Sequence, residues 1–351
     1  MSELSRKKAI IKRAQQSAIA GYFSLDLQAL LDLQSEYENT LSEILLLLEF
    51  YADESSILRF ENLSQVRSEV ERTLDVLADG QERLLLASIE SSAALGGQTY
   101  LSELGSDLTQ DVIKRTTRYV QNFTSEDGLQ LSDRLWIVSD SLKRDLVTTI
   151  NSAVIQGKSA SEAAADLLAA GETPSQDILN KTRRPETNRL GNLLKAQFFD
   201  DASAYWQARR LFRTEINRAY GMAYQNSLEY DDDVAGTRFK LSPNHPRKDI
   251  CDMHASANLH GLGRGVYPKN KNPWPAHPNT LSYVEVVFKD EISDEDRAGK
   301  QTAIDWLSNQ PGAMRIGVLG VYRANLLANE QLKSWMITSK VSNLKKRFGQ
   351  S

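Results

Sequence analysis

Residues 283–288 read YVEVVF and residues 236–241 read GTRFKL. YVEVVF alternates and is rich in β-branched and aromatic residues, the pattern of a half-buried strand. Both stretches follow some 230 residues in which apolar side chains recur every three to four positions, the period of an amphipathic helix. The switch from period 3.6 to period 2 decides the fold class. It predicts an α+β protein with an extended helical N-terminal region, a small α+β domain with a short antiparallel sheet over 237–241 and 283–288, and a helical tail.

Outward from the strands, the helical signals are specific. A 3,4 pattern runs through Leu27, Leu30, Gln34, Tyr37, Leu41, Ile44, Leu48 and Tyr51, broken only by Gln34. A second helix is predicted through Val66, Val70, Leu74 and Leu77, punctuated by Gly80 and broken at Gly96-Gly97. Ser132 is a candidate cap for a helix whose apolar face holds Leu135, Leu142, Leu146 and Ile150, closed by Gly157. Ser159 and Glu162 form a capping box for a short helix ending at Gly171, and 171–189 reads as a polar connector. A long helix over about 202–229 carries the stripe Phe212, Ile216, Tyr220 and Ala223. The domain boundaries that follow are 1–130, 131–200, 201–290 and 291–351.

With 41% hydrophobic and 25% charged residues and a net charge of −4, the chain has the composition of a globular protein, and its net charge gives no support for broad nucleic-acid binding. Charge is uneven: SRKKAIIKR (5–13) and SNLKKRFGQS (342–351) are basic, and KDEISDEDRAG (289–299) is acidic. Basic termini are candidate contacts to DNA or to an acidic partner. The opening residues are charged and predict no secretory signal. The longest apolar run, ILLLL at 44–48, falls far short of the roughly 20 residues a membrane span needs. The single cysteine excludes an internal disulfide framework and suits a reducing compartment.

All four histidines and that cysteine fall within 245–277. Cys251 and His254 form a Cys-x-x-His pair that His245 and His277 complete as a tetrahedral set, with Asp249, Asp252 and His260 as substitutes. One thiolate is fewer than structural zinc sites use, and the spacing matches no zinc-finger signature. His245 and His277 each precede proline, which fixes a bend and holds the preceding residue extended. The residues favour no metal and no cofactor, with zinc on His245, Cys251, His254 and His277 as the alternative. Cys251 as a nucleophile paired with His254 or His245 is disfavoured by its acidic neighbours, which raise a thiol pKa. HGLGRGVYP (260–268) lacks the Gly-Lys-Ser/Thr ending of a phosphate loop. Arg213, Glu215, Asn217 and Arg218 lie at helical spacing, as salt-bridged surface, as a brace to the next domain, or as a catalytic Arg/Glu pair.

LFRTEINRAYGMAYQNS (211–227), SPNHPRKDICDMHA (242–255), a glycine loop ending in VYP, and NPWPAHPNTLSYVEVVF (272–288) occur in that order. Together they resemble the phage Mu F-like minor head protein family, also called the phage head morphogenesis family. The motif is carried by Arg213, Thr214 and Glu215, then His245, Pro246, Asp249 and Cys251, then Tyr267 and Pro268, then His277 and Pro278. The flanks are similar too, with Trp306, Pro311, Gly320 and Arg323 at recognisable places, so the likeness covers roughly 130–330. One departure stands out: many members continue the second His-Pro into a Cys-x-Cys pair, where this chain has Thr280 and Ser282.

The resemblance implies a structural, low-copy component of the procapsid and virion, made in the host bacterial cytoplasm. It implies a partner in the portal protein and other head proteins, contact with phage DNA through the basic termini, and no membrane. The alternative is a nuclease-like or toxin enzyme on the same domain, with Arg213, Glu215 and a histidine as acid/base groups. Residues 1–125 are expected to serve partner contact through their apolar seams and to be dispensable for folding of the rest. The segment 242–282 is expected to be a loop-rich insertion too small to bury a large core. In it, His245 and His277 would lie near Cys251 and hydrogen-bond to backbone groups.

Overall fold

The computed structural model describes residues 2–51, 60–124, 128–155, 197–199, 203–243, 245 and 247–347. Four long helices come first: α1 (Glu3–Tyr51), α2 (Leu63–Gln98), α3 (Leu101–Asn122) and α4 (Leu131–Ile155). Helix α5 (Ala204–Leu228) leads into strand β1 (Val234–Lys240), a short helix α6 (Ile250–Ser256), and strands β2 (Val266–Pro268) and β3 (Tyr283–Phe288). The tail holds α7 (Asp294–Ala298), α8 (Ala303–Ser308), α9 (Gly312–Ala328) and α10 (Val341–Arg347). The fold is therefore a mostly helical α+β one, and no described residue before Val234 is in a strand.

The sheet is antiparallel in the order β2-β1-β3, with Thr237 opposite Tyr267 on one side and Phe239 opposite Val284 on the other. YVEVVF is a strand over its whole length. β1 begins three residues earlier than predicted, and β2 was hidden in the glycine loop.

The chain divides into two compact units, neither of which is a single run of sequence. The first comprises Met1–Phe23, Glu90–Thr117 and Thr214–Ser351; the second comprises Ser24–Ile89 and Arg118–Arg213. Parts of α1, α2, α3 and α5 thus belong to each.

In the first unit the core joins Ile11 and Tyr100 from the N-terminal helices to Tyr224, Phe239, Cys251, Tyr267, Trp274, Val284 and Phe288. A second cluster packs Met253 against Trp306, Leu307, Leu319 and Met336 of the tail. Helix α6 serves both clusters, Cys251 on one side and Met253 on the other. The segment 242–282 therefore contributes buried side chains to both apolar clusters, contrary to the expectation of a polar-held insertion. Trp274 and Tyr267 supply the area that a count of loop residues hides.

Two glycines permit this packing. A Cβ on Gly96 would stand 2.1 Å from the Tyr220 carbonyl oxygen, and one on Gly221 would stand 2.0 Å from the Trp274 ring. Gly96 and Gly97 lie within the last turn of α2, where Gly96 allows a close approach of helix backbones instead of a break. Gly80 likewise sits inside unbroken α2.

The first unit also engages the three lysines of the basic N-terminus. Lys7 pairs with Asp231 at 2.7 Å and Asp233 at 2.9 Å, Lys8 with Asp290, and Lys12 with Glu291. The acidic stretch noted in sequence is thus partly answered within the chain. Gln15 adds a buried hydrogen bond, its Nε2 donating to the Val284 carbonyl at 3.0 Å.

In the second unit Leu30, Leu33, Tyr37, Leu41, Ile44 and Leu48 of α1 are buried, as are Val66, Val70, Leu74 and Leu77 of α2. Leu135, Leu142, Leu146 and Ile150 of α4 are buried too. The α1 row passes through Leu33, not Gln34, and Leu27 is 59% exposed, because a straight helix drifts off a strict heptad. These seams are covered by the chain itself, so they are not spare surface for a partner. Helix α4 starts one residue before Ser132, and the Asp133 carboxylate takes the Gln130 N–H at 2.8 Å. Gly157, the Ser159/Glu162 box, Gly171 and the connector 171–189 lie outside the described residues. No described helix is long and apolar enough to cross a membrane.

Candidate functional site

Helix α6 begins with Asp-Ile-Cys-Asp, two carboxylates placed to take the free N–H groups of a first turn. Asp249 is the N-cap and accepts from Cys251 N at 2.7 Å through Oδ1, while Asp252 Oδ2 reaches back to Asp249 N at 2.9 Å. His245 Nε2 lies 2.9 Å from Asp252 Oδ2, and Lys248 Nζ donates to Asp252 Oδ1 at 3.0 Å. His245 is thus tied to a carboxylate, where a backbone partner was expected.

Across from this turn, the loop after β2 brings in His277. Its Nδ1 donates to the Pro278 carbonyl at 2.8 Å, and its Nε2 stands 3.2 Å from Asp249 Oδ2. That approach is an ion-pair distance off the line of the ring N–H, so the buried Nε2 has no well-formed hydrogen bond. Cys251 is fully buried, with Sγ 3.7 Å from Thr280 Oγ1. Ligand atoms of Asp249, Cys251 and His277 all fall within 4.8 Å of one another, as do those of His245, Asp249 and Asp252.

The charges follow from this geometry. Burial pushes the Asp249 carboxyl up, but His277 and the Cys251 N–H outweigh it and hold the group at about 2. His277 is raised to about 10, first by Asp249 and then by Cys251. Asp252 is lowered as well, its burial overcome by the Asp249 N–H, His245 and Lys248.

The other two histidines turn elsewhere. His254 Nδ1 meets the Tyr267 hydroxyl at 2.9 Å and its ring packs 5.6 Å from Phe239, so it belongs to neither ligand-sized cluster. His260 lies edge-on to Tyr267 at 5.1 Å.

The Arg-Thr-Glu helix supplies braces. Thr214 Oγ1 accepts from Asn279 N at 2.9 Å, and Asn217 Nδ2 donates to the Thr280 carbonyl at 2.6 Å. Both bonds hold the loop that carries His277 and Pro278. Glu215 is buried against Arg218 at 2.9 Å. Arg213, in the second unit, pairs with the buried Asp26 at 3.1 Å. Tyr267 and Pro268 lie in β2, and Pro246 falls outside the described residues. Thr280 and Trp274 were missed as site residues, since their roles rest on contacts 8 to 63 residues away.

His254 makes a testable pH sensor. Burial lowers it to about 4, so the fold rejects a proton that the unfolded chain accepts near 6.5. The sign is that of a depressed group: no cost above pH 6.5, and stability lost as pH falls from 6.5 toward 4, reaching roughly 3 kcal/mol. Chemical denaturation of the protein and of His254→Gln across pH 7 to 4.5 should show the wild-type advantage shrinking with acid. A difference that stays constant with pH would remove His254 as the titrating group.

As a class, the chain is a helical α+β protein with a small antiparallel sheet and a His/Asp/Cys cluster at the start of a short helix. No protein-family model, curated protein or solved structure matches it.

Proposed function

We propose that this chain is a Mu F-like minor head protein, a low-copy structural component that joins the procapsid beside the portal and acts in head assembly. The observation that carries the proposal is the meeting of separated motif pieces. Thr214 and Asn217 of α5 grip the 279–280 backbone, and Asp249 and Cys251 of α6 face His277. Residues that resemble the family in sequence order therefore work as one brace in space. Glu215, paired and buried, and Cys251, without exposed surface, serve as struts in this reading.

The partner surface moves accordingly. The α1 seam is internal, and what α1 offers outward near its end is Leu46, 66% exposed, and Phe50, 79% exposed, one turn apart. DNA contact is assigned to the exposed Arg6 and Arg13 of α1 and to Lys345, Lys346 and Arg347 in the last turn of α10, since Lys7, Lys8 and Lys12 are engaged by acidic residues.

The experiment is to assemble phage heads from portal, shell and scaffold proteins of the source genome, with the chain tagged. Mass spectrometry should find it in purified heads at far lower copy number than the major shell protein, and the portal protein should retain it on a column. The double variant Leu46→Ser, Phe50→Ser should lower incorporation several-fold with an unchanged melting temperature, as exposed positions contribute little to stability. Heads that form normally and never contain the chain would overturn the proposal.

A further inference from the structure

We propose that Asp249, Cys251 and His277 bind a divalent cation of the zinc class, which staples the 277–282 loop to the start of α6. The inference is independent of the head-protein reading and departs from the metal set read in the sequence. His254 is committed to Tyr267, and Asp249 takes its place.

Three observations carry it. The donors are a thiol, an imidazole and a carboxylate, the mixture that borderline-soft cations select and that hard cations such as magnesium do not. Their atoms lie close enough, within 4.8 Å of one another, for small side-chain movements to bring all three onto one ion. The third concerns the imidazole itself. His277 spends Nδ1–H on the Pro278 carbonyl and turns a buried Nε2, lacking a well-formed hydrogen bond, toward the other donors. That is the arrangement in which a metal-ligating histidine is fixed by an outer partner.

The remaining atoms are placed as supports. Asp249 Oδ1 is taken by the Cys251 N–H, which leaves Oδ2 on the side of His277. Thr280 Oγ1 sits beside the sulfur. Three protein donors leave a fourth tetrahedral position for water. His245 Nε2 lies 3.8 Å from Asp249 Oδ1 but is held by Asp252. On binding, Cys251 Sγ and His277 Nε2 each give up a proton to solvent, so the sulfur enters as thiolate and the ring as neutral imidazole.

The test uses the full chain, stripped with chelator and titrated with Co2+ and then Zn2+. The expected result is one equivalent of Co2+ with a thiolate-to-cobalt charge-transfer band, displaced by Zn2+. Cys251→Ser should abolish the band, and His277→Gln should weaken binding by about tenfold or more. His260→Ala should leave both unchanged. If Cys251→Ser does not fold, the wild type still decides: Zn2+ should raise its melting temperature and chelator should reverse the rise. Absence of the band and of a zinc-dependent shift in the wild type would overturn the proposal, as would a band that survives in folded Cys251→Ser.

Discussion

A Trp274→Ala variant is expected to lose about 3–5 kcal/mol of stability, the range for truncating a large buried aromatic. The indole is 5% exposed, lies in the core with Phe239, Val284 and Phe288, and its Nε1 donates to the Ser282 carbonyl at 2.9 Å. Truncation removes the apolar area, leaves a cavity beside Gly221, and leaves the Ser282 carbonyl with only the longer 3.5 Å bond from Asn217 Nδ2. The companion change Gly221→Ala attacks the same contact from the other side. Its Cβ would fall 2.0 Å from the ring, so it too should destabilise, by about 1–3 kcal/mol from overpacking. Because both act on one contact, the double variant should cost less than the sum of the singles. Denaturant melts of the three proteins measure this. A loss below about 1 kcal/mol for Trp274→Ala would mean that the ring is not part of the core.

That contact also shows where sequence reading stops. YVEVVF was legible as β3 over its full length, and the helical rows of α2 and α4 were legible residue by residue, because periodicity is a local signal. Gly221 and Gly96 were not legible as packing sites. A glycine that ends a helix and one that admits a neighbouring ring or backbone look alike until the neighbour is placed. The same blindness hid β2, a three-residue strand that exists only because Thr237 lies opposite Tyr267. Helix α6 was different: its Asp-x-x-Asp start is a variant of the capping box, and the signal was present in DICD.

In the site, Cys251 and His277 do fall in one group, but His245 falls in a neighbouring one with Asp249 and Asp252, and the bonding partners were not legible. His245 and His277 find carboxylates because Asp249 and Asp252 are held at a helix start. Which histidine faces inward depends on the phase of that helix. His254, three residues after Cys251, falls on Tyr267 instead. Sequence spacing suggested Cys-x-x-His as a chelating pair, and the helix turns those two side chains to different neighbours.

Deleting residues 1–125 is expected to unfold the first unit instead of releasing a folded C-terminal domain. The deletion takes Ile11, Tyr22, Tyr100 and Val112, each fully buried. It also takes the Tyr22 ring stacked 5.0 Å from Tyr220, and the Ser92 hydroxyl that donates to the Ile216 carbonyl at 2.7 Å. At about 1.5–3 kcal/mol for each large apolar side chain, the loss is on the order of 6–12 kcal/mol. That is comparable with the 5–15 kcal/mol that holds a domain together. The loss of Gln15 would further leave the Val284 carbonyl unpaired, and Asp231 would lose Lys7. The truncated chain should therefore show weak near-ultraviolet circular dichroism, bind a hydrophobic dye, and melt without cooperativity. A sharp thermal transition with native-like aromatic signals would refute this account. The distinction governs how partner contact is tested: a truncation that fails to enter heads would report a lost core, whereas Leu46→Ser with Phe50→Ser changes only what α1 shows to solvent.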